Sequence, residues 1–234
     1  MDLIELAGVD SSESIRKALA AEGHPVLLAF SGGKDALAAW LALRDAGVEV
    51  VPYYLYLVPG LAFVDEAMAG WEQAFGRKIH RYPHPSLYRW LNNLMFQAPE
   101  NCSVIEAAGF ANLTHEQNLR DIRNDLGLPL ETWVADGVRA ADSPIRRASI
   151  RTHGPSKLRT HKTSVVWDWR KSHVLGRIEA AGLSLPVDYE WFGRSFDGID
   201  HRFLEPMSRF APDDYARVLE WFPLAALELI RHGL

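Results

Sequence analysis

Leu28-Ala29-Phe30-Ser31-Gly32-Gly33-Lys34-Asp35-Ala36-Leu37-Ala38 joins an apolar strand to an amphipathic helix through a two-glycine turn. Pro25 to Phe30 is a short apolar run of the kind buried in a parallel sheet, and Asp35 to Ala46 carries apolar residues at helical spacing before stopping at Gly47. Gly32 and Gly33 therefore sit where a strand becomes a helix. Lacking side chains, they let successive N–H groups turn toward one point, where the helix N-terminus adds unsatisfied donors and a partial positive charge. Such a turn suits a phosphate. A Walker A loop would need four residues between its glycines and a Gly-Lys-Ser/Thr ending, and a dinucleotide fingerprint would need G-x-G-x-x-G; this stretch spells neither.

Outward from that turn the chain alternates. Asp10 with Glu13 marks a helix start leading into the first strand, and Val48 to Leu57 reads as strand two. A helix from Phe63 to Phe75, a strand near Lys78 to Tyr82 and a helix from Ser86 to Phe96 follow. Ala98 to Leu113 has no clear period, Thr114 with Gln117 opens another helix, and Glu131 to Ala135 reads as the fourth strand. Strands alternating with helices imply right-handed crossovers, so the expected fold is α/β: a doubly wound parallel sheet of about five strands, with its ligand site at the strands' carboxyl ends. Beyond Ser164 the pattern changes to a strand at Val165 to Trp167, a helix near Arg170 to Ala181 and two closing helices split by Pro223. The expected domains are a nucleotide-binding α/β domain over 1–164 and a C-terminal strand and helical extension over 165–234, packed on the sheet by its aromatic residues.

Composition narrows the class. The chain has 234 residues, 48% hydrophobic and 24% charged, with a net charge of −5, the profile of an ordinary globular protein. Its N-terminus, Met1-Asp2-Leu3-Ile4-Glu5, is acidic, no apolar window reaches the length of a membrane span, and the expected location is the cytoplasm with no membrane partner. Cys102 is the only cysteine, which excludes an intramolecular disulfide, a Cys-x-x-Cys redox pair and a cysteine-held iron–sulfur cluster within one chain. His24, His80, His84, His115 and His173 show no zinc-like spacing. Charge is unevenly spread. Arg139 to Lys171 holds nine Lys or Arg against Asp142 and Asp168, a local +7 in a chain of net −5 that leaves −12 for the remainder. That asymmetry points to an anionic ligand near the segment, with His153 to Lys162 read as a mobile loop that folds over polyphosphate or grips a nucleic-acid backbone.

Ser31-Gly32-Gly33-Lys34-Asp35 after a first strand resembles the PP-loop of the ATP pyrophosphatases and phosphoadenosine-phosphosulfate (PAPS) reductases, whose motif is Ser-Gly-Gly-x-Asp-Ser; Ala36 stands in place of the last Ser. A second segment resembles the same group's Gly-x-Arg-x-x-Glu-Ser followed by Arg: Gly137, Arg139, Asp142 in place of Glu, Ser143 and Arg146. A third, Tyr54 to Phe63, matches loosely through Gly60 and Phe63, with Val58 where the family often has Asp. The resemblance implies an adenine nucleotide alpha hydrolase-like fold with ATP and Mg²⁺ as ligands. Under it, the Ser31 to Lys34 backbone and the Lys34 side chain hold pyrophosphate, and Asp35 assists Mg²⁺ or orients the loop. Arg139 neutralises charge at the α-phosphorus, Gly137, Asp142, Ser143 and Arg146 complete the cradle, and the backbone around Leu55 and Leu57 reads the adenine edge.

PAPS reductases also use a C-terminal cysteine as nucleophile, and this chain has none after Cys102. A thiolate must attack sulfur and later exchange, which neither Ser nor Phe can do, so reductase activity is not expected. Cleavage of ATP between its α and β phosphates remains, adenylylating a substrate with release of AMP and pyrophosphate. The alternatives are a sulfotransfer protein that binds PAPS or adenylylsulfate and uses a partner's thiol, and a nucleotide- or nucleic-acid-binding regulator without turnover. The partners implied are an adenine nucleotide, an anionic substrate and, through Arg139 to Lys171, nucleic acid, with a homodimer as the candidate assembly.

Overall fold

The computed structural model describes residues 3–233. In chain order its helices and strands are α1 (Ser12–Glu22), β1 (Val26–Ala29), α2 (Lys34–Asp45), β2 (Val50–Tyr56), α3 (Ala62–Phe75), β3 (His80–Pro83), α4 (Pro85–Asn92), α5 (Pro99–Ala108) and α6 (His115–Asp125). They continue with β4 (Val134–Asp136), α7 (Pro144–His153), β5 (Ser156–Lys157), β6 (Lys162–Ser164), α8 (Lys171–Ala180), α9 (Asp188–Phe192), α10 (His201–Phe210), α11 (Pro212–Trp221) and α12 (Leu227–Arg231). The chain divides into two interleaved units: one takes the residues up to 54 with 77–80 and 123–185, the other 55–76, 81–122 and 186 onward. That division does not fall at the 164/165 boundary drawn from the sequence, because 165–185 go with the strands. No helix among the described residues is long and apolar enough to cross a membrane.

The sheet runs β3-β2-β1-β4-β6-β5. β1 pairs in parallel with β2 and β4, β4 pairs in parallel with β6, and β5 is antiparallel to β6. The α/β architecture expected from the sequence is therefore present, with six strands rather than about five. Strand order reverses at β1, whose neighbours are β2 on one side and β4 on the other. The carboxyl end of β1 is consequently a topological switch point, the position where open α/β sheets bind ligands.

In the first unit Val26, Leu27 and Leu28 of β1 are buried on both faces, which explains why they read as an unbroken apolar run. α2 was expected to be amphipathic; instead every residue from Ala36 to Leu43 is buried, its alanines allowing close approach while it packs against α8. Phe30 and Trp40 meet edge to face at 4.9 Å and hold the middle of α2 against the end of the strand before it. The expected strand at Val165 to Trp167 is a turn, and the strand is Lys162–Ser164. The turn is held by Asp168, whose buried carboxylate accepts the Ser12 N–H at 2.9 Å and the Ser12 hydroxyl at 2.5 Å. The cap of α1 is Ser11, not Asp10: Ser11 accepts the Ser14 N–H, while the Asp10 carbonyl accepts Trp167 Nε1–H.

In the second unit Phe63, Trp191, Phe192, Phe196 and Phe203 pack largely edge to face, with Phe63–Trp191 centroids 5.5 Å and Phe192–Phe203 centroids 5.2 Å apart. These rings pack on one another, Phe63 bringing α3 into the cluster, and Trp167 and Trp169 belong to the first unit. α3 has no cap of its own. Asp214 of α11 supplies one, its buried carboxylate accepting the N–H groups of Ala62 and Phe63 at 2.5 and 3.2 Å. α5 fills part of the stretch that showed no period, and none of its residues is buried, which removes the apolar stripe that would have announced it. The Thr114–Gln117 capping box forms as expected, each side chain meeting the other's backbone N–H.

Candidate functional site

The switch point is built by the segment that the sequence singled out. Phe30, whose N–H donates to the Tyr53 carbonyl at 2.9 Å, ends the apolar run, and the chain then turns through Gly32 at φ 73°, a left-handed conformation that glycine adopts without strain. Gly33 is the N-cap of α2 and, having no side chain, supplies no capping acceptor of its own to the first turn. The Ser31 hydroxyl lies 3.4 Å from the Gly33 nitrogen, a long contact, and Ser31 itself is exposed. The result is a helix N-terminus, capped by a residue with no side chain, at the carboxyl end of the central strand.

The loop after β4 closes on this turn from the neighbouring strand. A Cβ placed on Gly137 would lie 2.5 Å from the carbonyl carbon and oxygen of Asp35 and 2.8 Å from the Ala36 nitrogen, so only glycine lets the two backbones meet. That approach sets Arg139 beneath the first turn of α2. Its Nε is 2.8 Å from Asp35 Oδ1, its Nη2 donates to Asp142 Oδ1 at 2.6 Å and its Nη1 donates to the Trp169 carbonyl at 3.4 Å. The Arg139–Asp35 contact is an ion pair rather than an aligned hydrogen bond. Lys34 Nζ lies 2.7 Å from Asp35 Oδ2, and Arg146 Nη1 lies 2.8 Å from Asp142 Oδ2. Lys34, Asp35, Arg139, Asp142 and Arg146 thus form a chain of alternating charge.

The structure therefore brings together Ser31, Gly32, Gly33, Lys34, Asp35, Gly137, Arg139, Asp142 and Arg146. Arg139 was expected to meet the phosphates; its side chain is only 5% exposed and turned to two carboxylates and a carbonyl, a geometry that makes it a holder of Asp35. Ser143 is spent on capping α7, accepting the Arg146 N–H at 3.2 Å. Leu55 and Leu57 belong to the second unit, Leu55 half-buried within β2 and Leu57 buried just beyond it. The stretch read as a mobile loop is a β-hairpin, β5 and β6 joined through a 3₁₀ turn, with Ser156 Oγ and Thr163 Oγ1 2.8 Å apart across it.

Two contributions went unread in the sequence. The Trp169 carbonyl, thirty residues from Arg139, leaves no sequence mark. Asp136 does: a carboxylate closing an apolar strand. It is half-buried, accepts the Val138 N–H at 3.0 Å and a hydrogen bond from the Ser164 side chain; desolvation pushes its pKa up against the pull of those hydrogen bonds and of Lys162 and Lys157.

The donor set offers no all-protein cage for Mg²⁺, which is usually held by one or two carboxylates together with substrate phosphates. Mg²⁺ demands near-octahedral oxygen ligation. Asp35 directs one oxygen at Lys34 and the other at Arg139, and no group of three or more His, Cys, Asp or Glu that could hold a metal occurs among the described residues.

By sequence, the chain matches no family model and no curated protein. Among solved structures, the crystal structure of phosphoadenylyl-sulfate (PAPS) reductase from Candida auris in a phosphate complex is similar, with a TM-score of 0.46 and 14% identity over 77% of this chain and 84% of that one. A likeness of that extent transfers neither fold nor activity.

Proposed function

We propose that the chain is a PP-loop nucleotide-binding enzyme, PAPS reductase-like in its motifs, that binds ATP at the carboxyl end of β1 and cleaves it between the α and β phosphates. The observation that carries this reading is the glycine-capped N-terminus of α2, which follows a left-handed Gly32 at the switch point of the sheet. In the proposal the amides of Gly33 to Ala36 receive the β and γ phosphates. Lys34 moves from Asp35 to a phosphoryl oxygen, which spreads negative charge as a substrate oxygen attacks the α-phosphorus and pyrophosphate leaves. Arg139 is a positioning residue: paired with Asp35 and Asp142, it fixes the first turn of α2 against the loop after β4. An incoming nucleophile then attacks the activated substrate, and the bond to AMP breaks as AMP leaves.

Incubation with ATP and Mg²⁺ should release AMP and pyrophosphate, and Lys34→Ala should slow that release by about 10²–10³-fold, the scale for losing one donor to a charge-bearing transition state. Products limited to ADP and phosphate would contradict the reading. One observation favours a second: every Arg139 donor group already faces protein, so the α-phosphorus has no guanidinium directed at it. In that case ATP raises the melting temperature and no AMP forms.

A further inference from the structure

The first unit carries a cavity of about 450 Å³ at the amino ends of the parallel strands β1, β4 and β6, the opposite end from the glycine turn. That volume lies within the roughly 300–1,000 Å³ of small-ligand pockets. Val26 at the start of β1, Trp133 just before β4 and His161 just before β6 form its wall, and most of the exposed lining is apolar. The sheet fixes both rings through their backbones: the Trp133 carbonyl accepts the Leu27 N–H at 2.9 Å and the His161 carbonyl accepts the Val134 N–H at 2.7 Å. The rings meet edge to face with centroids 5.5 Å apart.

The fixed charge of the lining has one sign. Glu22, the last residue of α1, and Glu131 line the cavity, and no Lys or Arg does among the described residues. An adjoining cavity of about 310 Å³ along α1 shares Glu22 and Trp133, adds Asp10 and again has no Lys or Arg among the described residues. Arg123 offsets part of the Glu131 charge from outside the lining; its buried guanidinium donates to the Thr132 carbonyl at 2.7 and 3.2 Å. Glu22 enters no ion pair among the described residues.

We propose that this cavity binds a small organic cation, an arylalkylamine, with its ring packed on Trp133 and Val26 and its ammonium turned to Glu22 and Glu131. Solvent-accessible carboxylates each add little to affinity, so burial of the aromatic body supplies most of it, while the carboxylates and the indole face select the positive guest. An anion would meet two carboxylates and no lining cation. The inference therefore does not depend on nucleotide binding at the α2 N-terminus.

The test is an amide-resolved NMR titration of the full chain with tryptamine, tryptophol and indole-3-acetate, which share a ring and carry positive, zero and negative charge. Tryptamine should give saturable shifts at 22–27, 129–134 and 160–162, with an affinity about three- to tenfold above tryptophol and further above indole-3-acetate. Glu22→Gln combined with Glu131→Gln, both on exposed positions, should keep the fold, erase most of that preference and leave tryptophol binding unchanged. Trp133→Ala should weaken both indoles about tenfold or more, and Trp133→Phe should recover part of the loss. Indole-3-acetate or tryptophol binding as tightly as tryptamine would overturn the proposal. So would shifts confined to other segments, or a doubly substituted chain that keeps the parent's preference; that variant decides the matter even where Trp133→Ala does not fold.

Discussion

Two groups of charged side chains, one in each unit, are satisfied by different means. In the first, a buried guanidinium is held by two carboxylates, with Lys34 and Arg146 extending the chain outward, so each member depends on the next. In the second, carboxylates are buried against backbone N–H groups: Asp214 on Ala62 and Phe63, Asp188 on Phe196. The difference is one of consequence. Removing one member of an ion-pair chain strands its partners inside, whereas removing a carboxylate from a helix end costs a cap and leaves neutral amides behind.

Arg139→Ala should give the largest effect. It leaves Asp35 and Asp142 without their shared cation, and breaking such a pair costs roughly 3–5 kcal/mol. Urea denaturation should therefore show a sharply lowered midpoint, and a midpoint like the parent's would mean that the pairs contribute nothing. Asp214→Ala should cost about 1–2 kcal/mol, the scale of a lost cap, with Asp214→Asn recovering part of it in the same measurement.

Two smaller effects depend on pH and carry opposite signs. Burial pushes the Asp188 carboxyl up to about 6, above its ordinary 3.8. A raised carboxyl holds its proton more tightly in the folded state, so its contribution is intact below about 3.8 and lost as pH rises through 6. Asp188→Asn should accordingly be more stable than the parent at pH 7 by about 1 kcal/mol after allowance for solvent screening, and the gap should close by pH 4. His84 is shifted the other way, down to about 4, first by burial and then by His115 and Arg89. Its neutral Nδ1 caps α4 by accepting the Ser86 N–H at 3.0 Å, so its contribution is present above 6.5 and lost as pH falls through 4. His84→Asn keeps an acceptor at the cap without titrating there. Thermal melts should find it close to the parent at pH 7 and relatively more stable at pH 5, by under about 1 kcal/mol. Parallel pH profiles for the parent and both variants would show that neither group is coupled to folding.

The same contrast explains what could be read before the structure was seen. The apolar run into Ser31-Gly32-Gly33 was legible because a strand buried on both faces has no polar positions and a turn into a helix needs glycine. The alternation of strands and helices followed from periodicity. The fate of Arg139 did not: beside Asp142, two of its partners stand 104 residues before it and 30 after it, and nothing local distinguishes a guanidinium facing a ligand from one turned wholly to protein. Nor could the sequence show that Gly137 is required by the backbone of Asp35. α5 was invisible because it buries nothing, and the β5–β6 hairpin looked like a loop because its strands are two and three residues long. The excess of positive charge between Arg139 and Lys171 was plain, but the pairing of Lys157 with Lys162 across the hairpin required the register.

The most direct measurement is a crystal structure of the chain grown with saturating ATP. The account predicts the phosphates on the backbone N–H groups of Gly33 to Ala36, with Lys34 Nζ released from Asp35 and Arg139 still paired to it. A nucleotide seated elsewhere, with those amides turned to water, would contradict it.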